Sequence, residues 1–174
     1  RQKVKLIKEI LLQKKRVQQL KHVLIFASSI KSVKEIKRTL NKSGFSASDM
    51  HSGLDQISRE NTIRDFKNNK IKVLVATDIL SRGIDIKGIE LVINYEVPHD
   101  AEDYVHRIGR TARADKTGEA ITFINENQIK SFMSIEKLIE KEIEKKPLPF
   151  NFEKGPLYSI QKKKKKIWNK RKKK

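Results

Sequence analysis

Cysteine is absent from the chain, which removes disulfide cross-links and thiolate metal sites and is compatible with a reducing cytoplasm. Long apolar stretches are missing too. Uninterrupted hydrophobic runs extend only a few residues, against the roughly 20 that a bilayer-spanning helix needs, and no basic segment followed by an apolar one opens the sequence. A cytoplasmic protein with no membrane partner is expected. Acidic residues are scarce: 21 Asp and Glu face 40 Lys and Arg, a formal charge of +19. Such an excess attracts polyanions, nucleic acid first among them. What remains, 174 residues of which 37% are hydrophobic, is enough for one sizeable core. The chain starts at Arg1 rather than Met, as a processed chain or an excised fragment would.

Short apolar runs alternate with stretches of helical period, the pattern of an α/β fold with a mostly parallel central sheet flanked by helices. His22 to Ala27 reads as a strand buried on both faces. A helix capped by Ser28 or Ser29 follows, with Ile30, Val33, Ile36 and Leu40 on one face and Gly44 at its end. The pattern then gives a strand at Ser46–His51, a helix at Gln56–Lys67, and strands at Val73–Thr77 and Leu91–Tyr95. A short helix from Tyr104 to Arg110, a strand at Ala120–Ile124 and a long helix from Gln128 to Lys145 complete the series. Pro147, Pro149, Gly155 and Pro156 then interrupt regular structure. Lys162–Lys166 and Lys170–Lys174 follow as almost pure positive charge. The division expected is a domain at 1–146 and a flexible basic tail at 147–174.

Ligands of open α/β sheets sit beyond the carboxyl ends of the strands, so the segments after each strand carry most weight. They hold His51-Ser52-Gly53 with Gln56 and Arg59, Ala76-Thr77-Asp78 through Arg82-Gly83-Ile84-Asp85, and His106-Arg107-Ile108-Gly109-Arg110-Thr111-Ala112-Arg113. His106, Arg110 and Arg113 stand at i, i+4 and i+7, which on a continuous helix is one cationic face. Without further context such a face is a solvated helix end. Asp85 follows a glycine turn, where a carboxylate accepts from ribose hydroxyls, caps a helix or pairs with Arg82. Thr77 suits a strand by its branching alone, and Gln56 an early helical turn. His22 and His51 have no second ligand at a metal-binding spacing, so no metal site is expected on this chain.

Together with Leu24-Ile25-Phe26, Ser28 and Val92-Ile93-Asn94-Tyr95, and in this order, these strings resemble the C-terminal RecA-like domain of DEAD-box ATP-dependent RNA helicases, from about Val23 to Ile124. The resemblance implies a three-layer RecA-like fold and roles for individual residues. Arg110 and Arg113 would be arginine fingers on ATP, His106 would join the network around the γ-phosphate, and Asp85 and Gly83 would meet the nucleotide. Ser28, Gly53, Arg59, Thr77 and Gly83 would hold the RNA backbone, without reading bases.

The phosphate loop G-x-x-x-x-G-K-[ST] is absent, since Ile89 and Glu90 follow Gly88 where Lys and Ser or Thr are required, and no D-E-A-D string occurs. By the resemblance, ATP phosphates and Mg²⁺ belong to an N-terminal RecA-like domain of the same protein, and this chain alone is not expected to hydrolyse ATP. The lysine runs with Trp168 can track a phosphate backbone and stack on a base, though a solubilising end or a nuclear-import signal has the same composition. The basic tail and the richness in Lys, Ile and Asn are similar to bacterial RhlE-like helicases. The competing reading is a stand-alone basic RNA-binding or ribosome-assembly module without catalysis.

Overall fold

The computed structural model describes residues 2–17 (backbone alone at 15–17), 21–78, 86, 88–111 and 118–159. Five strands form one parallel sheet: β1 (Val23–Phe26), β2 (Ala47–Met50), β3 (Val73–Ala76), β4 (Leu91–Asn94) and β5 (Glu119–Thr122), in the order β2-β3-β1-β4-β5. The register aligns Met50, Ala76, Phe26, Asn94 and Thr122 in one row. The three central strands are buried along their whole length, as near-continuous apolar runs require when both faces are covered. The helices are α1 (Gln2–Val17), α2 (Ile30–Lys42), α3 (Gln56–Lys67), α4 (Ala101–Ile108) and α5 (Ile129–Leu138), the last entered through a 3-10 turn at Glu126–Gln128.

Alternation along the strands splits the core in two. Val23, Ile25, Val73, Val75, Leu91 and Ile93 face α1 and α2, meeting Val4, Ile7, Leu11, Val33, Ile36 and Leu40. Leu24, Phe26, Leu74, Ala76 and Val92 face the other way, toward Phe66 of α3 and toward Ile86 and Ile89. Each buried Val, Leu, Ile or Phe among these contributes about 1.5–3 kcal/mol by leaving water. A third cluster joins α4 to α5 through Val97, Tyr104, Phe132 and Ile135. The chain leaves β1 on one face through α2, whereas Ile86 and Ile89, which precede β4, pack on the opposite face. The strand order turns around at β1, and a crevice opens there at the carboxyl edge.

Several elements differ from the sequence reading. α1 was not anticipated, although Val4, Ile7 and Leu11 recur at i, i+3 and i+7 and are all buried. α4 begins at Ala101 rather than Tyr104, because the Asp100 carboxylate accepts from the Glu102 amide and Glu102 and Asp103 fill the first turn. It also ends earlier, at Ile108. α5 stops at Leu138 and does not reach Lys145: Glu140 adopts φ +52°, which no continuing helix allows. Ile139 and Ile143, the apolar residues that suggested a longer helix, instead fold back against the third cluster.

Beyond Pro147 the described chain still touches this cluster. The Tyr158 hydroxyl donates to Glu136 Oε2 at 2.6 Å, and its ring lies edge-on to Phe132 at 6.3 Å. No described helix is long and apolar enough to cross a membrane.

Candidate nucleotide and nucleic-acid site

The parallel register sets the candidate residues in a row. One position past the aligned strand ends, the Thr77 amide donates to Met50 O at 3.1 Å, Ala27 to Ala76 O at 2.9 Å and Tyr95 to Phe26 O at 2.8 Å. Gly53 beyond β2, Thr77 beyond β3 and Ser28 beyond β1 therefore lie along one edge, on neighbouring strands about 4.8 Å apart.

The loop carrying Gly53 is held from beneath. The Gly53 amide donates to His51 Nδ1 at 3.1 Å, which leaves the proton of the buried ring on Nε2, 3.5 Å from Asp49 Oδ2. A Cβ on Gly53 would stand 3.2 Å from that imidazole, so the ring restricts what side chain the loop tolerates. Arg59, half-buried on α3, reaches back to donate from Nη2 to Ser52 O at 3.1 Å, and its buried Nε has no partner among the described residues. Arg59 braces the loop in this structure.

The crevice at the turn-around point is a cleft of about 160 Å³ lined by Ser28, Asp78, Glu96, His99, Asp103 and Arg107, among others. The Ser28 amide donates to Glu96 Oε2 at 3.0 Å and its hydroxyl donates to the same oxygen. Ser29 caps α2, accepting from the Ser32 amide at 3.1 Å.

At the back of the cleft stands Arg107, which is only 3% exposed. Its Nε donates to Asp78 Oδ1 at 2.9 Å, Nη2 donates to the same oxygen, and Nη1 reaches Asn94 Oδ1 at 3.3 Å. The guanidinium lies 5.0 Å from the centre of the Phe26 ring. Asn94 passes the network on, donating to Thr122 Oγ1 at 3.1 Å, and Tyr104 bonds to the same threonine. Burial pushes the Tyr104 phenol up, the Thr122 bond opposes that, and the Glu136 charge adds to it. The network thus ties the ends of β3 and β4 to β5 and α4. On the rim, burial pulls the Lys3 ammonium down against the raising influence of Glu96; its Nζ donates to Tyr95 O at 2.9 Å.

With Arg107 turned inward, His106 is exposed on the outer side of α4, and Arg110 lies half-buried in the turn after it. That turn is not a continuation of the α-helix: Gly109 caps α4, Arg110 N bonds to Arg107 O at 3.2 Å and Thr111 N to Ile108 O at 2.9 Å. The single helical face expected for His106, Arg110 and Arg113 is thereby corrected, because the regular helix includes only the first. Arg113, Gly83 and Asp85 lie outside the described residues. The turn is also closely packed: a Cβ on Gly118 would fall 2.7 Å from Thr111 O, so only glycine lets β5 start there. Among the described residues no three His, Cys, Asp or Glu side chains converge on one point.

Sequence reasoning passed over Arg107, Asp78 and Asn94 as components of the site. The signal was present: Arg107 falls three residues after the buried Tyr104, on the inward side of α4, and Asp78 directly follows a fully buried strand.

Residues 2–115 match the family described as helicase conserved C-terminal domain. ATP-dependent RNA helicase DBP8 of Scheffersomyces stipitis is 41% identical over 121 residues, 70% of this chain and 27% of that protein. The chain thus spans about a quarter of that relative. Among solved structures, a DEAD box protein from the hyperthermophile Methanococcus jannaschii superposes with a TM-score of 0.72 at 38% identity, covering 80% of this chain and 37% of that one. Dbp5 of S. cerevisiae bound to RNA and ADP BeF3 superposes at 0.64 with 34% identity, over 68% of this chain and 32% of that one. Relatives come from a yeast, an archaeon and, with CshA of Geobacillus kaustophilus at 40% identity over 72% of this chain and 27% of that protein, a bacterium, so they carry the family without singling out a RhlE-like branch. With its five parallel strands in RecA-like order and the motifs of its carboxyl edge, this chain belongs to the DEAD-box RNA helicases as their helicase C-terminal domain.

Proposed function

We propose that the chain is the second jaw of an ATP-dependent RNA helicase, completing the ATP site of an N-terminal RecA-like domain and gripping the RNA backbone for duplex unwinding. The observation that carries this reading is the burial of Arg107. Because its guanidinium is fixed by Asp78, Asn94 and Phe26, the neighbouring His106 and Arg110 are displayed from a rigid base at the sheet's carboxyl edge.

In phosphoryl transfer an arginine from a partner surface stabilises charge developing on the transferred group. Arg110, with Arg113 beyond it, takes that role, and His106 orients groups about the γ-phosphate. Asp85 and Gly83 meet the nucleotide. Thr77 and Ser28, through their hydroxyls, and Gly53 and Gly83, through the close approach that a missing side chain allows, hold the sugar-phosphate backbone, which makes binding independent of sequence. Arg59 serves RNA by holding the Gly53 loop. ATP phosphates and Mg²⁺ fall to the N-terminal domain, since this chain carries no phosphate loop. Mg²⁺ bound there would neutralise charge on the phosphates. Residues 1–146 form the jaw and 147–174 a basic extension that adds non-specific RNA affinity.

RNA-stimulated ATP hydrolysis tests the division of labour. The chain alone should show none, and the chain joined to a DEAD-box N-terminal domain should show hydrolysis that rises on adding RNA. Equal rates with and without this chain would replace the helicase reading by that of a basic RNA-binding module.

A further inference from the structure

A second concavity on the described surface lies away from the carboxyl-edge cleft. It is an open groove of about 540 Å³ between α2 and the edge strand β2, lined by Lys34, Lys37, Arg38, Asn41, Lys42 and Asp49. Lys34, Arg38, Asn41 and Lys42 are exposed, and α2 contains one acid, Glu35, against five basic residues including Lys31. Lys31, Lys34, Arg38 and Lys42 recur at i, i+3, i+7 and i+11, a single stripe along the helix spanning about 16 Å at 1.5 Å per residue.

Only Lys37 is neutralised locally: its Nζ donates to Asp49 Oδ1 at 2.8 Å. Lys34, Arg38 and Lys42 form no ion pair with any described residue. Three solvated cations along one groove wall, without apolar side chains between them, suit a polyanion and give a hydrophobic partner nothing to bury.

The elements that form the groove adjoin the candidate RNA edge. Asp49 is 3.5 Å from His51, whose ring holds the Gly53 amide, and a Cβ on Gly53 would lie 3.8 Å from Ile30 Cδ1 in the first turn of α2. A strand leaving the Gly53 loop therefore meets the start of the basic stripe directly. From these positions we infer that the outer face of α2 is an accessory RNA-backbone site, in which Lys34, Arg38 and Lys42 hold phosphates of the strand that also contacts Gly53, Thr77 and Ser28. The inference rests on RNA being the ligand of the edge.

Its role is electrostatic and sequence-independent. Each phosphate contact to a single strand contributes a slope of about −0.7 in log K against log salt. The test is binding of a short fluorescent oligouridine to the full chain and to its Lys34→Glu/Arg38→Glu variant across a salt series, with Lys34→Arg/Arg38→Lys as the charge-conserving control. Both positions are exposed, and circular dichroism of each variant is the check that it folds. The reversal should weaken binding by about 25-fold at ~0.1 M salt and flatten the slope by about 1.4, two contacts' worth, while the conservative pair binds as the parent does. Unchanged affinity and slope in the reversed variant, with the parent still binding, overturn the α2 site alone. A parent chain that fails to bind oligouridine overturns the RNA reading on which it rests. Loss of binding in the charge-conserving control as well would mean that the effect is structural, and would likewise remove the site.

Discussion

Arg107 shows how a buried cation can serve a site without facing its ligand. Its charge is met by Asp78, its second donor edge by Asn94 and its flat face by Phe26, so little of its hydrogen-bonding capacity is unmet. Replacing it leaves the buried Asn94 amide oxygen facing a void and takes one cation away from the Asp78 carboxylate. Because the Asp78 side chain is 48% exposed, water can reach that partner, which puts the cost below that of a fully buried pair. Arg107→Ala is expected to destabilise the fold by about 2–3 kcal/mol in urea unfolding. Arg107→Lys should also lose stability, since an ammonium cannot span Asp78 and Asn94 as a fork. A midpoint within error of the parent for both would show that the network does not hold α4. The sequence made the exposed neighbours of Arg107 conspicuous, because His106, Arg110 and Arg113 follow a helical spacing. It concealed Arg107, whose significance depends on Asp78 and Asn94 arriving from two different strands. Spacing along one element cannot report that convergence.

Among the elements, those with uniform environments were the most legible. β1, β3 and β4 are buried along their whole length and were read to within a residue at each end. The bounds of α3 match those expected, Gln56–Lys67, and its start is capped by Asp55 accepting from the Ser58 amide at 2.8 Å. α5 was misread because its apolar period runs on through Ile139 and Ile143, whereas the backbone reverses at Glu140.

That reversal is stabilised by tertiary contacts centred on Glu136. Its side chain is 13% exposed and accepts from Lys145 Nζ at 2.6 Å, the Ile143 amide at 2.7 Å and the Tyr158 hydroxyl at 2.6 Å. Burial alone would push the carboxyl up, and these donors outweigh it and hold Glu136 below the usual carboxylate range. Tyr158 is pushed far up, by burial first and by its bond to Glu136 next. A depressed carboxylate contributes stability above about pH 4.5 that is lost as pH falls through its folded value. A raised phenol contributes stability that is complete below about pH 10 and lost as pH rises through its folded value. Tyr158→Phe should therefore cost about 1–2 kcal/mol at neutral pH and lose less stability than the parent above pH ~10. Thermal unfolding across pH checks both; an unchanged alkaline profile would show that the Tyr158 contact does not contribute to the fold.

At the scale of the whole molecule, the charge of +19 and the open end of a parallel sheet point to one arrangement. On the proposed reading, ligands approach the carboxyl edge, and the cations of α2 and of the Lys-rich sequence after Pro147 keep a polyanion close to it. The fold class was readable because alternating buried runs and helices leave few other layer arrangements. The cleft was not, since it lies where the strand order turns around at β1, a property of the three-dimensional strand order.

The central claim is that this jaw supplies charge to a reaction whose phosphates are held elsewhere, and Arg110 is its most direct test. In a protein joining this chain to a DEAD-box N-terminal domain, Arg110→Ala should lower kcat for RNA-stimulated ATP hydrolysis by about 10³-fold or more. Binding of oligouridine to the chain should meanwhile stay within about twofold, because a transition-state contact is lost and not a ground-state one. An unchanged kcat in the Arg110→Ala protein would contradict the account.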